Sequence, residues 1–191
     1  MGTQYRSGAR FGPRGVREAS TLFSFGHAGA YDHEDDVVYL DDKVRIVDLG
    51  DSDIVHTQTD KSHTNIEYAV RCALSAGALP VVIGGDHSVN IPCINAFDQF
   101  GEFSILQIDA HLDFVDERHG VRNGHGNPMR RALEKEYVSR LLQVGIRNVS
   151  STAKEGYTDA KRMGSDILSV RQVRKLGAQK VVQILHTRAH A

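Results

Sequence analysis

Asp109, His111 and Asp113 stand at alternate positions directly after an apolar run, Ile105-Leu106-Gln107-Ile108. In an extended chain, residues two apart share a face. Three side chains with metal-ligating atoms therefore leave the C-terminal end of a strand together, the place where open α/β sheets bind their ligands. Carboxylates mixed with imidazoles suit Mn, Fe, Ni or Zn better than Ca or Mg. The plainer alternative is a polar loop closing a strand. Against it, the same chemistry recurs at His87, in Gly84-Gly85-Asp86-His87-Ser88, after an earlier apolar run. A single histidine at a strand end is more often structural than a ligand, but its combination with Asp-x-His-x-Asp is much rarer by chance. Gly84 and Gly85 let the backbone turn tightly and bring His87 inward. They could instead cradle a phosphate, but the Gly-Lys-Ser/Thr of a P-loop is missing.

Two carboxylates and two imidazoles suffice for a pair of metals if one aspartate bridges. Metals about 3.5–4 Å apart acidify a shared water toward neutrality, giving a nucleophile able to attack a carbon as inert as that of a guanidinium. The leaving amine then needs a proton. His125, flanked by glycines in Asn123-Gly124-His125-Gly126-Asn127, is the candidate donor, because an imidazole titrates in the right range. Without the metal motif, a solvent-exposed loop histidine would be the better reading.

The elements that must position these residues alternate. Apolar runs at Val44–Leu49, Leu79–Ile83, Ile105–Ile108, Leu141–Ile146, Asp166–Val170 and Lys180–Leu185 read as strands. Between them, helices are expected at Arg14–Ser20, from Ser62 as N-cap to Gly77, from the His87 loop to about Phe100, from Pro128 to about Tyr137, over Ala153–Arg162 and over Arg171–Gly177. No short hairpin signal stands out. The pattern argues for one α/β domain over residues 1–191, a parallel sheet covered by helices on both faces. The acidic run Asp32-His33-Glu34-Asp35-Asp36 reads as a solvated surface loop.

The bulk properties restrict the function class. A chain of 191 residues with 40% apolar and 25% charged residues is ordinary for a globular domain with a real core. A formal net charge of -1 favours neither nucleic acid nor an anionic membrane. No apolar run approaches the roughly 20 residues of a membrane span, and the opening residues have no apolar core of a secretory signal. Cys72 and Cys93 lie outside metal or redox spacings and read as buried thiols in a reducing, cytoplasmic compartment.

These residues resemble the ureohydrolase family, the arginases and agmatinases. Gly84-Gly85-Asp86-His87-Ser88 is similar to the family's first metal motif and Asp109-Ala110-His111-Leu112-Asp113 to its second. The glycine-flanked His125 before Pro128-Met129-Arg130-Arg131, and the stretch Tyr5–Ser20, resemble the agmatinase branch more than the arginases. The resemblance implies a three-layer αβα sandwich with a parallel sheet, two Mn ions, and hydrolysis of a small guanidino substrate to urea and an amine by a homo-oligomer. It further implies that His87, Asp109 and Asp113 hold one metal and Asp109 and His111 the other, and that His125 transfers the proton. The family's third motif, Ser-x-Asp-x-Asp on a later strand, is not found before Ala191. The chain is therefore expected to lack the C-terminal part of the complete domain, and its first strand as well, since in the family that strand precedes the segment matching Gly2–Tyr5 and here Met1 stands in its place. Agmatine and a guanidino acid such as guanidinobutyrate are the substrates in view. Arg118, Arg122, Arg130 and Arg131 either bind a substrate carboxylate or are surface charge, the commoner fate of loop arginines. A non-catalytic remnant or partner subunit is the alternative from another class. A zinc deacetylase-type hydrolase would be expected to show adjacent histidines, and none of the ten adjoins another.

Overall fold

The computed structural model describes residues 8–22, 28–41, 43–149 and 151–189. The residues of the Tyr5–Ser20 stretch before 8 fall outside it, as do Met1 and the last two residues. Helix α1 (Gly12–Ser20) is followed by a two-stranded antiparallel hairpin, β1 (Ala30–Asp32) and β2 (Val37–Tyr39). Then come α2 (Thr59–Ser75), α3 (Asn90–Asn95), β3 (Phe103–Ile108), α4 (Pro128–Leu133), β4 (Val138–Ile146), α5 (Lys154–Arg162), β5 (Ser165–Ser169), α6 (Val170–Leu176) and α7 (Ala178–Ala189). Strands β3, β4 and β5 form a parallel sheet in that order.

Strand alternation divides the core in two. Ile105, Leu141 and Ile167 face Met129 and Leu133 of α4 and Tyr157 and Ala160 of α5. Val144 and Leu168 face Val173 of α6 and Val181, Ile184 and Leu185 of α7. The sheet is thus the middle layer of an αβα arrangement, as expected, and its best-buried strand is β4, where Leu141 is fully buried. None of the described helices is long and apolar enough to cross a membrane.

Several expected elements come out differently. Lys180–Leu185 belongs to helix α7 and is not a strand. Its apolar residues Val181, Ile184 and Leu185 also satisfy i, i+3, i+4 spacing, and a short apolar run does not separate the two periods by itself. Val44–Leu49 and Leu79–Ile83 have no strand partners among the described residues, and Ile46, Leu49, Leu79 and Val81 are largely exposed. Apolar character marks a segment as one to be buried, but only a neighbouring ladder makes it a strand. The acidic run starts at Asp32, the last residue of β1, and continues through residues 33–36 as the exposed connection of the β1–β2 hairpin, with Asp36 at φ +52°. Ser62 does not cap α2, which starts at Thr59. Its hydroxyl instead bonds the backbone of Val55 and Gln58. Helices α3 and α4 stop at Asn95 and Leu133, short of Phe100 and Tyr137.

Candidate metal centre

Strand β3 delivers Asp109 just beyond its last residue, and a bulge in the neighbouring strand holds it there. The Asp109 amide donates to the Val144 carbonyl at 3.0 Å, and Arg147 N–H returns to Ala110 O at 2.9 Å. The pairing of β4 with β5 shifts between Val144 and Ile146. Gly145, between them, has φ +92°, and a Cβ there would lie 3.2 Å from the Asp109 carbonyl oxygen. This position needs both glycine's conformational freedom and its small size.

Four residues later the chain turns sharply. Asp113 has φ +53°, an unusual value for a non-glycine residue, and its carbonyl accepts from Met129 N–H at 3.2 Å. This turn buries the Asp113 carboxylate and points it at His87. His87 opens a short 3-10 turn capped by Asp86, whose side chain accepts from Ser88 N–H at 3.0 Å. Of the Gly-Gly pair before it, Gly84 serves close approach: a Cβ there would sit 2.8 Å from a Val89 methyl.

The side chains meet as follows. His87 Nδ1 lies 2.8 Å from Asp113 Oδ2 and 3.9 Å from Asp109 Oδ2. One ligand atom from each of His87, Asp109 and Asp113 falls within 4.8 Å of the others. His111 stands outside this trio, more than half exposed, with Nδ1 3.6 Å from the other Asp109 oxygen, Oδ1. Its own N–H donates to that oxygen at 2.9 Å. Asp109 therefore turns one oxygen toward His87 and the other toward His111. Burial works to lower the His87 pKa, but the hydrogen bond to Asp113 and the charges of Asp113, Asp109 and Asp86 outweigh it and raise it above the ordinary 6.5. The donor set, one imidazole nitrogen and two carboxylate oxygens converging on one point, fits a divalent transition ion. A cation there would take over the role of the proton that His87 shares with Asp113.

His125 occupies a half-buried turn stitched to the same loop. Val115 N–H donates to Gly126 O at 3.1 Å. The buried Asn127 amide donates to the Val115 and Asp116 carbonyls, at 2.7 and 3.2 Å, while its oxygen accepts from Gly124 N–H at 2.9 Å. Asn127 thus ties the His125 turn to the chain just beyond Asp113.

The four arginines are each paired within the chain, although Arg122 stays more than half exposed. Arg131 is buried and paired with Asp116 and Glu134, and Arg130 bonds Asp159 at 2.8 Å. Arg122 pairs with Asp116 at 3.1 Å, and Arg118 donates to Ser151 O at 2.8 Å. The Arg131 hydrogen bond in turn holds the Asp116 carboxyl below its usual range. Asp116 and Arg118 thus fasten the loop after Asp113 to α4 and to Ser151, and Arg130 joins α4 to α5. The thiols differ from expectation too: Cys93 is half-buried, but Cys72 is exposed.

Sequence reasoning passed over Gln107 and Gln143. Both are buried, and they pair across β3 and β4. Gln107 Nε2 lies 3.1 Å from Asp113 Oδ2 and 3.4 Å from both Asp109 Oδ2 and the His111 carbonyl. The available signal was a glutamine inside the apolar run of each strand, Ile105–Ile108 and Leu141–Val144.

The Arginase family model matches residues 1–191. Guanidinopropionase of Pseudomonas aeruginosa is 34% identical over 182 residues, 93% of this chain and 55% of that protein. Human mitochondrial guanidino acid hydrolase is 33% identical over 156 residues, 79% and 42% of the two chains. The chain thus spans about half the length of these relatives. Among solved structures, formimidoylglutamase of Bacillus subtilis superposes with a TM-score of 0.83 at 28% identity, over 99% of this chain and 58% of that one. A Trypanosoma cruzi formiminoglutamase variant solved with Mn2+ gives 0.78 at 25% identity, over 96% and 59%. With the whole chain matched by one family model and the metal-type residues gathered at the C-terminal edge of the sheet, this protein belongs to the arginase family.

Proposed function

We propose that this chain carries a binuclear Mn site for hydrolysis of a linear guanidino compound to urea and an amine. The observation that carries the reading is the divided Asp109 carboxylate, with Oδ2 near His87 and Oδ1 near His111. Such a carboxylate suits two ions side by side: His87, Asp109 and Asp113 for one, Asp109 and His111 for the other. The Mn2+ in the formiminoglutamase variant, and relatives named for guanidino acids and agmatine, support the choice of metal and substrate class. Bound metals would supply Lewis acidity to a water and to the substrate carbon's attached groups. The chain's own residues do the rest. Asp109 and Asp113 would hold the ions at the sheet edge. His125, in its tethered turn, holds the proton that the departing amine requires.

A second reading, a chain that binds metal without turnover, is favoured by the ligand count. The described residues offer three donors to one ion and only two to the other, and two carboxylates against four positive charges. Urea release from agmatine and 4-guanidinobutyrate by the Mn-loaded chain separates the two. Turnover supports the hydrolase; weak Mn2+ binding without turnover supports the second reading; no binding at all rejects both.

A further inference from the structure

We propose that Gln107 is a positioning residue for the metal centre, held in one sense by a relay of hydrogen bonds that crosses the sheet through Gln143 to Ser165. The inference rests on the metal-site reading above and adds residues to it.

The relay has a direction, set by groups that cannot reverse. The Leu112 carbonyl can only accept, and Gln143 Nε2 donates to it at 2.7 Å. The Gln143 amide oxygen must then point the other way, where the Ser165 hydroxyl donates to it at 2.6 Å. With its orientation fixed at both ends, Gln143 Nε2 also donates to Gln107 Oε1. Gln107 is thereby obliged to present its own Nε2 to the carboxylates of Asp113 and Asp109. All three residues are buried, and Gln143 is wholly so. No water is needed to settle either amide's orientation, and a flip would leave buried groups unpaired.

The consequence falls on the oxygens that face the metal position. Oδ2 of Asp109 and Oδ2 of Asp113 both approach His87 Nδ1, so two anions converge on one point. A hydrogen-bond donor beside both relieves their repulsion and holds their rotamers before a cation arrives. A reversed amide would set a carbonyl oxygen against two carboxylates. A leucine there would place hydrocarbon beside them. The strands provide this rigidly, because Gln107 and Gln143 are register partners.

The test uses the full chain and two readouts. In the first, Mn2+ binding is followed by the EPR signal of the unbound ion. Gln107→Leu is expected to weaken binding by ~10–100-fold, a typical effect of removing a hydrogen-bond partner behind a ligand. Ser165→Ala, far from the ligands, is expected to weaken it less, in the same direction. Thermal unfolding in chelator verifies that each variant folds. Wild-type affinity in a folded Gln107→Leu chain overturns the proposal. The second readout needs no metal: the side-chain amide protons of Gln107, followed by NMR in chelator. They are expected to exchange slowly, to shift in Asp113→Asn, and to lose protection in Gln143→Met. Free-amide exchange in the wild-type chain overturns the relay even if Mn2+ never binds. Slow exchange without Mn2+ binding leaves the relay standing and rejects the metal reading instead.

Discussion

Asp109 and His111 differ in what they hold, and the difference is testable. Asp109 lies between His87 and His111 and offers each a different oxygen, whereas the His111 side chain is more than half exposed and stands 3.6 Å from Asp109. Asp109→Asn is therefore expected to abolish measurable Mn2+ binding, while His111→Asn leaves the His87–Asp109–Asp113 position able to take one ion; titration against the free-ion EPR signal distinguishes them. His125→Ala should lower any turnover far more than it lowers bound metal. An equal loss of both would mark His125 as a ligand or scaffold residue. The two thiols make a separate prediction. Burial pushes the Cys93 thiol up to about 11, so almost no thiolate exists there at pH 8, whereas Cys72 is exposed. Alkylation of the native chain at pH 8 should give one adduct, on Cys72, and a second only after unfolding.

At the scale of elements, the bulge in β4 and helix α7 carry most of the unexpected structure. Gly145→Ala meets both a positive φ and the Asp109 carbonyl, so it should destabilise the fold by about 1–3 kcal/mol. Because the contact is with Asp109 itself, Mn2+ affinity should fall with it. Urea unfolding and the EPR titration measure the two effects. Helix α7 docks through Val181, Ile184 and Leu185, while Val182 is exposed. Ile184→Ala and Leu185→Ala should each cost about 1–4 kcal/mol, with Val182→Ala within about 0.5 kcal/mol. A strand alternating between core and solvent would instead spare one of the two consecutive residues 184 and 185.

The whole molecule presents apolar surface beyond its core. Ile46, Val47 and Leu49, then Leu79 and Val81, and Ile108 at the end of β3 are all more than two-thirds exposed. Strand β3 has β4 on one side and no described strand on the other. An open edge beside apolar segments invites pairing with another chain, and a net charge of -1 offers little repulsion against it. The isolated chain should bind a dye such as ANS and sediment as a concentration-dependent mixture. A sharp monomer peak with no dye binding would contradict this.

The sequence by itself determined which residues could carry chemistry and that they stand at the ends of apolar runs. Asp109, His111 and Asp113 at alternate positions after an apolar run, with His87 after an earlier one, named the candidate ligands, because side-chain direction in extended chain is local geometry. It also determined the parallel, helix-covered sheet built around β3, β4 and β5. Only the tertiary structure decided which ligand atoms converge. The left-handed turn at Asp113 and the bulge at Gly145 aim two carboxylates at one imidazole, while His111 takes the far oxygen. It likewise decided that Lys180–Leu185 is helical, since the two periods fit that run equally and the groove beside Val144 and Leu168 chose between them. The roles of Gln107, Gln143 and Asn127 lay beyond sequence reasoning for the same reason: an amide is a donor at one end and an acceptor at the other, and its orientation is fixed by partners that folding alone brings near.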